Sequence, residues 1–249
     1  MTYRQRWPIW TLLMLLAAAC GLLQRGERVI TGSGRVASET RTVAGIERVA
    51  LEGLGEVELQ QGATEALTIE AEDNLLPLIT SQVQAGTLRL GFDRATWRDT
   101  IQPTAPIRFV LMVRDLEAFD LSGSGSLRAS NLQADRLTLR ISGAGEVTVE
   151  HLESSALDVH IEGMGNVSVA GQAGEQTLAI SGSGQYQAGD LDTQTTQVTI
   201  SGSGDAVVWA RSDLSINISG NGTVSYWGDP NISRRDIGGT GDINPMGEK

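Results

Sequence analysis

Two histidines, one cysteine and thirty acidic side chains are the groups with which this 249-residue chain could do acid–base, metal or nucleophilic chemistry. His151 and His160 stand nine residues apart with no cysteine beside them. Neither a zinc ligand set nor a Ser-His-Asp triad has its material here, and both histidines read as surface polar residues. A polysaccharide-cleaving site on one face would need converging carboxylates. Asp190 and Asp205, or Glu146 and Glu150, fall at unequal offsets and read as solvated faces. Gly-x-Gly runs can cradle phosphates, yet here no helix follows them, so the nucleotide-binding context is missing. Gly202-Ser203-Gly204-Asp205 and Gly239-Thr240-Gly241-Asp242-Ile243 lack the nine-residue spacing of a calcium-binding repeat. The expectation is a chain that is not an enzyme and takes no metal or cofactor.

What remains is a pair of aromatics, Trp209 and Trp227, whose meaning depends on the elements that carry them. Ser122-Gly123-Ser124-Gly125 returns as Ser142-Gly143-Ala144-Gly145, Glu162-Gly163-Met164-Gly165, Ser181-Gly182-Ser183-Gly184, Ser201-Gly202-Ser203-Gly204 and Ser219-Gly220-Asn221-Gly222, with starts 20, 20, 19, 20 and 18 residues apart. Apolar residues keep the same offsets. Leu127, Ala129, Leu132, Leu137, Leu139 and Ile141 in one repeat match Val147, Val149, Leu152, Leu157, Val159 and Ile161 in the next. Period-two alternation on both sides of each glycine pair means strands with one buried face. One strand pair cannot bury that face alone, so successive coils must stack, parallel and in register. The predicted fold is all-β: a single-chain parallel β-helix of about 20 residues per coil with Gly-x-Gly corners, right-handed by the usual preference of parallel crossovers. Gly123, Gly125, Gly143, Gly145, Gly163, Gly165, Gly182, Gly184, Gly202, Gly204, Gly220 and Gly222 are read as structural turns.

In this register Trp209 and Trp227 both take the ninth position of their repeats, after the inward Val208 and Tyr226. They should point outward, one above the other. Such a pair either contacts a sugar ring or a partner, or shields the end of the solenoid by packing against the tail.

The first half obeys the rule less regularly. Glu52-Gly53-Leu54-Gly55 with Val57 and Leu59 repeats the start of a coil, and Leu67, Ile69, Leu88 and Leu90 mark further strands. Residues 73–82 are expected as a short helix or a packed loop, and 94–106, with two prolines, as an excursion. Ile107 to Val113 returns as a strand.

Arg4 and Arg6, an apolar run from Ile9 and Ala17-Ala18-Ala19-Cys20-Gly21 give a signal-peptide plan too short for a spanning helix. The small residues before Cys20 resemble a bacterial lipobox, in which cleavage exposes the cysteine for lipidation, although Ala17 stands where leucine is commonest. Gly21 after the cysteine favours the outer membrane by the same analogy. The expected division is 1–19 signal peptide, 20–44 tether, 45–230 solenoid and 231–249 cap or frayed tail. Without residues 1–19 the net charge is −13, which repels nucleic acid and leaves the lipid as the membrane contact.

From Gly45 to Pro230 the chain resembles the putative auto-transporter adhesin, head GIN domain family. The resemblance rests on Gly45-Ile46, Gly53-Leu54-Gly55-Glu56-Val57, Asp73-Asn74, Gly86-Thr87-Leu88 and the strand entering Leu121-Ser122-Gly123-Ser124-Gly125. It implies a β-helical fold and an envelope location, and supplies no catalytic residues. The leading expectation is an exported, lipid-anchored, non-catalytic binding module that presents a rigid face to envelope polysaccharide or protein. The alternatives are a homo-oligomeric scaffold formed by end-to-end stacking of coils and, behind it, a carbohydrate-active enzyme.

Overall fold

In a computed structural model the described residues are 28–93 and 99–249, and Cys20 with the whole signal segment lies outside them. The stacked parallel coils expected from the repeat are present. Strands β1 (Val29–Thr31), β2 (Val36–Arg41), β3 (Arg48–Gly53), β4 (Glu56–Gln61), β5 (Ala66–Glu72), β6 (Ile79–Gln84) and β7 (Thr87–Phe92) are followed by β8 (Thr100–Gln102), β9 (Arg108–Val113), β10 (Ala118–Gly123) and β11 (Ser126–Ala129). Each of β12 (Leu132–Gly143), β13 (Glu146–Gly163), β14 (Asn166–Ile180), β15 (Gln185–Ile200) and β16 (Asp205–Ile218) then covers most of a coil, and β17 (Thr223–Trp227), β18 (Asn231–Ile237) and β19 (Asp242–Pro245) close the stack.

The register makes columns. Leu51, Leu121, Ile141, Ile161, Ile180, Ile200 and Ile218 lie one above another, and all are at most 1% exposed. Each identical aliphatic contact repeats in the next layer, so the core grows as a narrow stripe down the stack rather than as a ball.

The corner shows why glycine recurs at two positions. Gly143 has φ 150°, and a Cβ there would lie 2.3 Å from the carbonyl oxygen of Gly123 in the layer beside it. The second glycine meets a different obstacle: a Cβ on Gly165 would lie 2.4 Å from Cγ2 of Ile141, an inward residue of the previous coil. One glycine lets backbones stack, and the other makes room for the core.

Three differences from the sequence reading have physical causes. The coils from β12 to β16 have a third paired side as well as the two alternating ones, seen where Leu132–Ala134 aligns with Leu152–Ser154 and Gly171–Ala173 with Leu191–Thr193. It is too short to show a period. The coil at β3–β4 stacks directly on β10–β11, Glu52 beside Ser122, although the chain between them makes a long detour. That detour builds the N-terminal end: β7 and β9 add parallel strands below β3 and β4, and β6 and β5 then cover these antiparallel. Residues 73–82 contain a 3-10 turn at Leu76–Leu78 and the start of β6.

The expected tether also carries structure. β2 pairs antiparallel with β5 and β1 pairs with β8. Glu72, 1% exposed, receives hydrogen bonds from Gly34 N–H at 2.6 Å and Thr104 N–H at 2.9 Å as well as from the Thr104 hydroxyl. The Thr104 hydroxyl, with the backbone N–H groups of Thr104, Gly34 and Ala105, holds this carboxyl below its ordinary range against the opposing effect of burial. One buried carboxylate thus joins the N-terminal segment to the loop after β8.

Candidate functional site

The outward residues of β7, β3, β10 and β12 form a groove of about 1040 Å³. Its floor is small because two outward positions are alanine: Ala50 and Ala118, 8% and 6% exposed, sit beneath longer neighbours. Its walls are ionic. Along one row of the register Arg89, Ala50, Asp120 and Arg140 follow one another across four strands. Arg89 pairs with Glu52 at 2.8 Å, Arg48 with Glu117 at 3.3 Å and Arg140 with Asp120 at 3.7 Å.

These pairs are roughly half exposed, so they contribute little to stability. Chemically they offer guanidinium donors and carboxylate acceptors a few ångströms apart on a rigid sheet, the partners that hydroxyl-rich or zwitterionic polymers require. Sequence reasoning missed this groove. Glu52-Gly53-Leu54-Gly55 was visible as a coil start, but a separation of seventy residues from its aligned mate, Ser122-Gly123-Ser124-Gly125, hid their adjacency.

The residues singled out from sequence are distributed as follows. The glycines of the Gly-x-Gly pairs occupy the corners. His151 is exposed beside Glu153 at 3.6 Å, and His160 lies in the register row of Arg140 and Ala179. Asp205 accepts from Thr223 N–H at 3.1 Å, and Asp190 pairs with Lys249. Among the described residues, no three His, Cys, Asp or Glu side chains gather as a metal would require.

Trp209 and Trp227 are register neighbours on β16 and β17, each half-buried. Lys249 crosses over them, its Nζ 5.2 Å from the Trp209 ring centre and 5.8 Å from that of Trp227. Bonds from Met246 N–H to Tyr226 O and from Gly228 N–H to Gly247 O, both 2.8 Å, bring it there.

A family model described as "Putative auto-transporter adhesin, head GIN domain" matches residues 46–230. No curated protein matches the chain. Among solved structures, a putative adhesin from Bacteroides fragilis superposes with TM-score 0.80 at 22% identity, covering 87% of this chain and 100% of its own. A putative lipid binding protein from Parabacteroides distasonis gives 0.71 at 21%, covering 88% and 100%. A putative adhesin from the same species gives 0.69 at 22%, with the same coverages. At these identities the likeness is one of fold.

Proposed function

Since this chain belongs to the putative auto-transporter adhesin, head GIN domain family, we propose that it is a non-catalytic, adhesin-like binding module of the cell envelope. In this reading it is exported and held to a membrane, the outer one where two exist, by a lipid on Cys20. The groove across β7, β3, β10 and β12 is its contact surface for envelope polysaccharide or for a polar protein surface.

The observation that carries this reading is the groove itself: a two-signed ionic wall over an alanine floor, on strands whose register is fixed by the core behind them. Family membership adds the adhesin class and nothing finer. The ordered N-terminal segment supports an anchor at that end, because a lipid at Cys20 would connect through few residues to β1 and β2 and so to the layers that hold the groove.

The test combines anchor and groove in one experiment. Protein purified from its native membranes is expected to have the mass of residues 20–249 plus acyl chains, lost in Cys20→Ser. Its saturable binding to isolated envelope polysaccharide is expected to fall roughly tenfold or more in Arg89→Glu/Arg140→Glu, the effect of removing one or two charge-assisted contacts. Unchanged binding by the folded double variant would remove the groove from the proposal, and an unlipidated mass would remove the anchor.

A further inference from the structure

Beyond the groove, the tryptophan pair has the composition of a cation site. Two indole faces lie within 6 Å of one ammonium nitrogen, the geometry in which a ring quadrupole attracts a cation. Lys249 Nζ also donates to the carbonyl oxygen of Gly189 and to the carboxylate of Asp190.

Both acceptors come from one local irregularity. Between β15 and β16 the register jumps from Ala188–Val208 to Asp192–Trp209, so Gly189, Asp190 and Leu191 have no partners opposite. Leu191 turns into the core and is fully buried. The bulge leaves Gly189 and Asp190 beside the rings, as bulges commonly re-aim groups at functional positions. Gly189 fits closely: a Cβ there would be 3.2 Å from Val207 Cγ1 and 3.3 Å from Trp227 Nε1. Arg211 does not compete for the acceptors, because it pairs with Asp192 while lying 5.6 Å from the Trp209 ring centre.

We infer that Trp209, Trp227, Asp190 and the Gly189 carbonyl form a binding site for a primary alkylammonium group, which Lys249 of the same chain occupies as a tethered competitor. The acceptors decide between kinds of cation. A quaternary ammonium satisfies the rings alone, whereas a primary one also donates N–H to the carbonyl and the carboxylate. The tether sets the competition. Lys249 is the fourth residue after the end of β19, so its effective concentration is of millimolar order, and an external amine must exceed that to enter.

The experiment follows the indole N–H resonances of Trp209 and Trp227 in the full chain in detergent, titrated with n-butylammonium. In Lys249→Ala and in Lys249→Met, two variants that remove the ammonium with different loss of bulk, both resonances are expected to shift saturably at concentrations about tenfold below those needed by the unmodified chain. Asp190→Asn in the Lys249→Ala background should weaken that binding, and tetramethylammonium should bind less well than n-butylammonium. Vesicles distinguish the source: stronger shifts with phosphatidylethanolamine than with phosphatidylcholine assign a lipid-borne ammonium, and equal shifts assign a soluble amine. No saturable shift in either folded Lys249 variant overturns the site. That result leaves the groove reading intact, because the groove contains none of these residues.

Discussion

Tyr186 stands in a column whose neighbouring layers are aliphatic: Leu127, Val147 and Val167 lie on one side of it and Ala206 and Val224 on the other. It is fully buried, and burial pushes its phenol well above the ordinary range. It fits because Ala206 is small and because Gln176, in the column of Leu157 and Thr196, donates to its hydroxyl oxygen at 2.5 Å. Thr193 and Thr196, 2.6 Å apart, complete a polar patch inside the solenoid. Tyr186→Phe should therefore leave the Gln176 amide unpaired and cost about 1–3 kcal/mol, measured by chemical denaturation. Adding Gln176→Leu, the residue type found one layer below, should recover most of the loss, which a double-mutant cycle would report as coupling. Glu72 gives a prediction of opposite character. Its folded pKa is depressed, so the stabilisation it provides is present above the unfolded value of about 4.3 and is lost as pH falls through the folded one. Protection of the Gly34 amide relative to its intrinsic exchange rate should fall on acidification below that point, and Glu72→Gln should show the lower protection already at neutral pH.

At the scale of the element, the corner glycines carry the sharpest requirement. Gly143→Ala places a methyl 2.3 Å from Gly123 O at a positive φ, and because the contact is backbone on backbone the layers must separate to admit it. A loss of about 2–4 kcal/mol is expected, with faster exchange in β12 and β13 on either side, whereas Ala144→Ser between the same glycines should be nearly neutral. These corners and the strands beside them were legible in the sequence, because glycine spacing and apolar offsets repeat together. The third side of the coil was not, since two or three paired residues hold no period. Nor was the antiparallel layer from β5 and β6, where Leu67, Ile69, Leu88 and Leu90 announced strands without stating direction or neighbour. The tryptophan pair shows the same boundary. Its stacking followed from the ninth-position offset, but Lys249 lies 40 residues beyond Trp209 and the bulge at Gly189–Leu191 about twenty before it, with no repeat to connect them.

For the whole molecule, the two ends decide whether a stack of similar coils remains one molecule. At the N-terminal end β5 and β6 lie antiparallel to β9 and β7, so that layer does not present a parallel coil for another molecule to extend. At the other end β18 is exposed along its length, is interrupted by a register shift at Ser233, and places Arg235 in the column of Ile216. Pro245 aligns with Tyr226 and has no N–H to donate. Bulges, inward charges and edge prolines are the devices by which sheets refuse new strands. Light scattering of the purified chain should give a monomer mass that does not change with concentration. Arg235→Ile with Pro245→Val should introduce concentration-dependent association. A concentration-dependent mass in the unmodified chain would favour the end-to-end scaffold instead.

The columns themselves have a consequence for reach. Adjacent strands lie about 4.8 Å apart, so each coil extends the rod by one such step, with the same corner, the same core contact and little change in curvature. Residues 62–117 separate two layers in sequence without separating them in space, which shows that a layer need not follow its neighbour along the chain. Duplicating or deleting a coil between β12 and β15 would lengthen or shorten the distance between the N-terminal groove and the tryptophan pair in fixed increments while leaving both chemically unchanged. The solenoid is in this sense a ruler, graduated in single layers, on which the spacing of two surfaces can be set independently of what either one binds.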